Sequence, residues 1–154
     1  MRILVISDTH GNTRNIERAI ASQPSASMVI HLGDGSDDIV DLEFAYTDKQ
    51  FHAVAGNCDW NSPLPLSGEL CIAGVRLFFT HGHCHGVKTD LSAIKQEARN
   101  RQAQVVLFGH THLPVTAYDD GLYLLNPGSL QTVSGTYGVL EITEAGIALQ
   151  IEQV

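Results

Sequence analysis

Short apolar runs recur along this chain, and glycine and polar residues cut each one off. Residues 2–7, 28–32, 50–55 and 104–108 have strand length and few charges, the pattern of buried β-strands. Between the first two, Ile16, Ala19 and Ile20 fall at helical spacing, with Asn12 or Thr13 as N-cap and Pro24 beyond the end. Leu91, Ile94 and Ala98 mark one face of a second helix over 89–101. Residues 69–73 and 75–80 read as a hairpin about Ala73-Gly74. Further strands are predicted at 115–119, 122–125, 136–142 and 147–152, with turns at Asp120-Gly121 and Ala145-Gly146. Strands alternating with helices early and strands alone later predict two layered sheets with helices outside.

Length and composition place the chain among globular proteins. Its 154 residues, 44% of them hydrophobic, are expected to form one domain over 1–154 with a core that needs no disulfide. The N-terminal apolar run ends at Ser7-Asp8, too short for a secretory segment, so it reads as a first strand. No run is long enough to span a membrane, and a cytoplasmic location is expected. Three cysteines without C-x-x-C spacing argue against a disulfide framework and a zinc knuckle. A net charge of −8, with no Lys/Arg cluster, disfavours nucleic acid as the partner.

The polar residues that end the runs carry the chemistry. Asp8 and His10 follow the first strand, Asp34 the second and Asn57 the third. His81 follows the hairpin's second strand, and His110 and His112 follow 104–108. Two carboxylates, four imidazoles and an amide oxygen exceed the needs of one divalent ion and suit two, if one carboxylate bridges. In layered α/β folds, sites form where loops converge at strand C-termini. Each piece alone is ordinary turn chemistry; five in one context are not. His31 and His52 lie inside strands and read as core or edge histidines with hydrogen bonds. His83 and His85 stand between substrate contact and simple loop exposure. Asp37, Asp38 and Asp41 read as a solvated helical face.

In this order, Asp8-Thr9-His10, Gly33-Asp34, Gly56-Asn57, His81 and Gly109-His110-Thr111-His112 resemble the calcineurin-like metallophosphoesterase family. Asn126-Pro127-Gly128-Ser129 resembles a further motif of its small members, and the chain is most similar to the compact prokaryotic phosphodiesterase branch. The resemblance implies an α/β (α+β) four-layer αββα sandwich of two mixed sheets flanked by helices. It also implies a dinuclear centre: Asp8, His10 and His112 on one ion, Asn57, His81 and His110 on the other, and Asp34 bridging. Manganese is the expected metal, with Zn, Fe, Ni, Co or Mg as alternatives. A metal-held hydroxide would attack the phosphorus of a small phosphate ester. Asn57, His83 and Cys58 are the candidates for substrate contact. Cys58 stands where many relatives have a histidine thought to protonate the leaving group; its simplest reading is a small, non-catalytic residue.

The expected function is a metal-dependent phosphodiesterase. The alternatives are a phosphomonoesterase or nucleotide hydrolase, and a non-catalytic scaffold of the kind the retromer subunit of this fold exemplifies. A homo-oligomer is compatible with the sequence.

Overall fold

A computed structural model describes residues 1–154 except the side chain of Asp41. Strands β1 (Arg2–Ile6), β2 (Met28–His31) and β3 (Gln50–Ala53) run parallel in neighbouring positions. Antiparallel β9 (Thr136–Thr143) and β10 (Gly146–Gln153) extend this sheet to the order β10-β9-β1-β2-β3. The second sheet is formed by β4 (Ser67–Ile72), β5 (Val75–Thr80), β6 (Val105–Leu107), β8 (Leu122–Asn126) and β7 (Val115–Asp119), in that order. Its inner strands β5, β6 and β8 are parallel, and β4 and β7 pair antiparallel at the edges. Both sheets are therefore mixed.

Alternation along the strands divides the core into three layers. Ile3 and Val5 of β1 face Leu77, Phe79, Val105 and Leu107 of the other sheet. Leu4 and Ile6 point the opposite way, onto Ile16, Ala19 and Ile20 of helix α1 (Thr13–Ser22) and Leu42 of the short helix α2 (Val40–Ala45). Phe78, Val106 and Leu124 pack outward on Ile94 and Ala98 of helix α3 (Ser92–Asn100). Period-2 strands with both faces apolar require cover on each side, and helix, sheet, sheet, helix is the stacking that results. Each fully buried Leu or Ile adds about 1.5–3 kcal/mol.

Asn12 is the N-cap of α1; its side chain accepts the Asn15 N–H at 3.2 Å. Ala73 and Gly74 both have positive φ, as a two-residue type I′ hairpin turn requires. Helix α3 starts at Ser92 rather than 89, because Asp90 Oδ1 captures the Ser92 N–H at 2.7 Å in a local turn. Asp37 and Asp38 lie in a 3₁₀ turn, Ser36–Ile39, and only the first of them is exposed. Asp38 Oδ2 accepts the Thr9 hydroxyl at 2.6 Å and the Gly11 N–H at 2.8 Å, so the expected solvated face is corrected: this carboxylate ties down the first loop. Asp41, read with them, has its side chain outside the described residues. No helix is long and apolar enough to cross a membrane among the described residues.

His31 is fully buried in β2 and hydrogen-bonded, as expected. Its Nδ1 accepts the Gly33 N–H at 3.0 Å, which leaves Nε2–H to donate to Thr9 Oγ1 at 3.1 Å. His52, on edge strand β3, is half-buried and has no side-chain hydrogen bond among the described residues. Burial, against weaker pulls from Asp59, Asp38 and Asp8, lowers the His31 pKa to about 4. The unfolded chain protonates this imidazole near pH 6.5 and the folded chain does not, so stability present above that pH is lost as pH falls toward 4. The expected loss is about 3 kcal/mol across that window. Urea titrations at pH 7, 5.5 and 4 check it: His31→Gln should flatten the dependence, and an equal slope in both proteins refutes the assignment.

Candidate metal centre

The centre forms where five parallel strand ends meet. β1, β2 and β3 deliver Asp8 and His10, Asp34, and Asn57 from one sheet; β5 and β6 deliver His81, then His110 and His112, from the other. Cross-sheet hydrogen bonds hold the two halves in register. His110 N–H donates to Asp8 Oδ2 at 3.1 Å, and the His81 ring pairs through Nδ1 with the Leu32 carbonyl at 2.8 Å. That second bond places the proton on Nδ1 and turns the Nε2 lone pair toward the other ligands.

All seven predicted ligands converge there. Asp8, His10 and His112 form one group whose ligand atoms lie within 4.8 Å of one another; Asp34, His81 and His110 form a second. Asn57 joins the second group, with its Oδ1 at 3.1 Å from His81 Nε2, while His110 Nδ1 lies 3.2 Å from the same atom. Asp34 Oδ2 stands between the groups, 3.4 Å from His81 Nε2 and 4.0 Å from His10 Nε2. Its Oδ1 accepts the Cys58 N–H at 2.7 Å. Asp8 divides its oxygens in the same way. Oδ2 accepts the Ser7 hydroxyl at 2.6 Å as well as His110 N–H, whereas buried Oδ1 has no hydrogen bond and faces His112 Nε2 at 3.0 Å. An unbonded buried carboxylate oxygen among imidazole lone pairs is the donor set a first-row divalent cation takes.

The electrostatics follow from this crowding. Burial works against ionising Asp34, but the His81 ring and the Cys58 N–H outweigh it and hold the carboxyl well below the usual range. Burial also opposes charge on His81, yet Asp34 and Asp8 prevail and raise its pKa. His110 and His83 are lowered, by burial first and then by His81.

The backbone is specialised as well. Asp8, His10, Asp34, His110 and His112 all have positive φ, between 46° and 67°. Left-handed backbone costs a non-glycine residue about 1–2 kcal/mol, and it is tolerated where surrounding bonds fix it. Close approach adds a second demand. A Cβ at Gly56 would strike Asp34, and one at Gly109 would strike the Ser7 hydroxyl.

Of the residues that support the ligand loops, the sequence pointed to Asn126 and Ser129 but not to Asp59. The Asp59 carboxylate accepts four backbone N–H groups: Gly56 at 2.7 Å, Asp34 and Gly35 at 2.8 Å, and Ser36 at 3.1 Å. Burial raises its pKa, but these bonds win and lower it. Ser129 Oγ donates to the Asp8 carbonyl at 2.8 Å, and Asn126 Nδ2 donates to Gly109 O at 2.9 Å and Thr111 Oγ1 at 3.0 Å. The Asn126–Ser129 motif thus binds the first and last ligand loops together. A lone Asp at the end of Gly56-Asn57-Cys58-Asp59 reads as a turn residue, and nothing local signals that its partners lie up to 25 residues upstream.

His83 sits beside the centre, its ring 5.4 Å from that of His81 and 6.2 Å from that of His110, and its buried Nδ1 has no hydrogen bond. His85 points instead at Phe78, ring edge to face at 6.0 Å. Cys58 is exposed, and its Sγ accepts from Asn57 Nδ2 at 3.2 Å. Partial desolvation of the thiol, then the Asp34 carboxylate, push its pKa up.

The profile of the calcineurin-like phosphoesterase superfamily domain matches residues 1–145. The chain is 31% identical over 133 residues to the "Probable metallophosphoesterase YsnB" of Bacillus subtilis, covering 85% of this chain and 76% of that protein. It is 29% identical over 168 residues to the phosphodiesterase YfcE of Escherichia coli K12, covering 92% and 88%. Its fold is also similar to that of Entamoeba histolytica Vps29 solved in complex with zinc, with a TM-score of 0.76 at 22% identity over 100% of this chain and 98% of that one.

Asp59→Ala removes the acceptor of four N–H groups and should lower the unfolding free energy by about 3 kcal/mol. It should also weaken divalent-ion binding about 10–100-fold by loosening Asp34. Denaturant midpoints and metal titration measure the two effects; a variant unchanged in both would deny the cradle its role.

Proposed function

The chain belongs to the calcineurin-like phosphoesterase superfamily, and from that premise we propose that it is a divalent-metal-dependent phosphodiesterase with a dinuclear centre. The observation that carries the reading is Asp34 Oδ2, a carboxylate oxygen facing one imidazole from each ligand group. Asp8, His10 and His112 would hold one ion, Asn57, His81 and His110 the other, with Asp34 shared. Manganese is the proposed metal, and the same donors accept Zn, Fe, Ni, Co or Mg. Two such cations, when bound, supply Lewis-acid neutralisation of the phosphate oxygens and water of lowered pKa.

The chain's own residues orient and admit the ester. Leu32 O fixes the His81 tautomer, and Ser7 fixes Asp8 so that a single oxygen faces the ligands. Asp8, Asp34 and His81 are buried, while His10, Asn57 and His112 are exposed. That gradient makes a rigid base with an open rim, suited to a small ester arriving from solvent. Asn57 and His83 are placed to contact it.

Leaving-group protonation is the weak point of the design. The Cys58 thiol stays protonated at neutral pH, but sulfur is a poor hydrogen-bond donor. Activated aryl esters should therefore be cleaved far better than alkyl esters. The completeness of the seven-residue set favours catalysis over a scaffold role of this fold.

Metal-stripped protein reloaded with Mn, Ni, Zn or Mg should hydrolyse bis(p-nitrophenyl) phosphate faster than p-nitrophenyl phosphate. Bound metal without turnover of either ester would assign the chain to a scaffold. Asp34→Asn should reduce turnover at least about 100-fold and lower the metal content measured by elemental analysis; full activity in this variant would exclude the bridge. Cys58→His should raise rates on diesters of poor leaving groups at least about tenfold, with little change on p-nitrophenyl esters. His83, whose ring lies beside those of His81 and His110, is the second candidate for that proton, and His83→Ala tests it on the same series. A flat response to both variants would remove leaving-group protonation from the account.

A further inference from the structure

A groove of about 570 Å³ opens between two segments, residues 87–91 leading to α3 and residues 111–115 leading from the last ligand turn into β7. Val87 and Phe108 are its buried floor, and Leu113, 67% exposed, stands at the lip. Thr111 connects the groove to the centre. It lies between His110 and His112, and its hydroxyl oxygen accepts both the Leu113 N–H at 3.2 Å and Asn126 Nδ2–H at 3.0 Å. One braced turn therefore carries two ligands on the metal side and a wall of the groove on the other.

Two charged side chains line this groove, Lys88 and Asp90. Asp90 is engaged by the Ser92 N–H. Of the three lysines, Lys49 pairs with Asp48 and Lys95 with Asp119, whereas Lys88 has neither an ion pair nor a hydrogen bond among the described residues. The groove thus offers an apolar floor, one ammonium and one carboxylate at its edge, the ammonium without a salt bridge among the described residues, and a direct boundary with the ligand turn. Its volume lies within the range of small-molecule sites.

A phosphodiester carries a second substituent that must lie along the protein surface next to the ions. Resting on the phosphodiesterase reading, we propose that this groove holds that substituent, and that it is a flat aromatic group bearing a further anionic charge that faces Lys88. A sugar or a short alkyl arm would set hydroxyls against Val87 and Phe108 or leave the floor wet. An anionic substituent on the ring would meet the exposed Lys88 ammonium, which an uncharged ring would leave to solvent.

Phosphonates separate this proposal from catalysis, because they bind and are not turned over. Zinc-loaded protein with labelled methyl groups is titrated with methylphosphonate, phenylphosphonate and 4-carboxyphenylphosphonate. The ring compounds should shift the methyl resonances of Val87, Leu91, Leu113 and Val115 and bind about tenfold tighter than methylphosphonate. The carboxylate should add about threefold to fivefold, an increment that Lys88→Ala abolishes. Leu113→Ser should remove the preference for the ring and leave methylphosphonate binding as it was. Equal affinity for all three ligands, or unshifted groove methyls, overturns the proposal. The same samples are assayed on methyl p-nitrophenyl phosphate. Turnover with a flat phosphonate series rejects the groove alone. Groove shifts with no diester turned over under any metal reject the phosphodiesterase reading and leave an organic-anion site beside the centre.

Discussion

Asp34 is held in place by another carboxylate. Asp59 accepts N–H groups from Asp34, Gly35, Ser36 and Gly56, so two loops from neighbouring strands close on one anion. Without that acceptor, four donors in a half-buried turn would need water or a rearranged backbone. With it, Asp34 comes close enough to Gly56 that a side chain there would collide with it, and its Oδ2 faces both ligand groups. Charge is arranged in two tiers. The outer carboxylate is neutralised by backbone dipoles, which leaves the inner one free to face a cation.

Backbone conformation is the second constraint. Five of the seven ligand residues have positive φ, so the loops carry strain of a few kcal/mol where the side chains must converge. The strain is opposed by bonds that are remote in sequence. Ser129 reaches the Asp8 carbonyl 121 residues away, and Asn126 binds the Gly109 carbonyl and the Thr111 hydroxyl. Asn15 on α1 donates to the carbonyls of Leu130 and Thr132, which anchors that returning turn to the first helix. Geometry at the centre is therefore a property of the whole sandwich, and packing defects in either sheet would be felt there.

This division explains what could be read from sequence. Strand ends were legible because apolar runs and glycine-rich turns are local signals, and all seven candidate ligand residues stand in the turns that follow such ends. Helix α1 was legible for the same reason, with its cap narrowed to Asn12 or Thr13, of which Asn12 is the one observed. Sheet order was not, since β9 returning beside β1 leaves no mark on either segment. The supporting residues were hidden differently. Asp38 looked like one of several surface acids, yet it receives the Thr9 hydroxyl, and Thr9 in turn faces His31. Asp38 acts through partners 27 and 29 residues away, and three of the four partners of Asp59 lie 23 to 25 residues away; residue type does not encode who those partners are.

The net charge of −8 makes the centre more than a catalytic detail. On the phosphodiesterase reading the substrate would itself be an anion, and Asp8 and Asp34 would face it. Long-range repulsion from such a surface would slow its approach, and nearby lone pairs would repel its oxygens. Two divalent cations would reverse that local field by adding four positive charges over a few ångströms. On that reading, metal binding would favour the approach of substrate, ahead of any part in bond breaking. The Lys88 ammonium, without a salt bridge among the described residues, would extend the reversed field along the groove beyond Thr111. Binding energy gained there acts on the part of the ester that does not react. Selectivity among esters would accordingly be set beside the centre, while the seven ligands determine only that a phosphate is held.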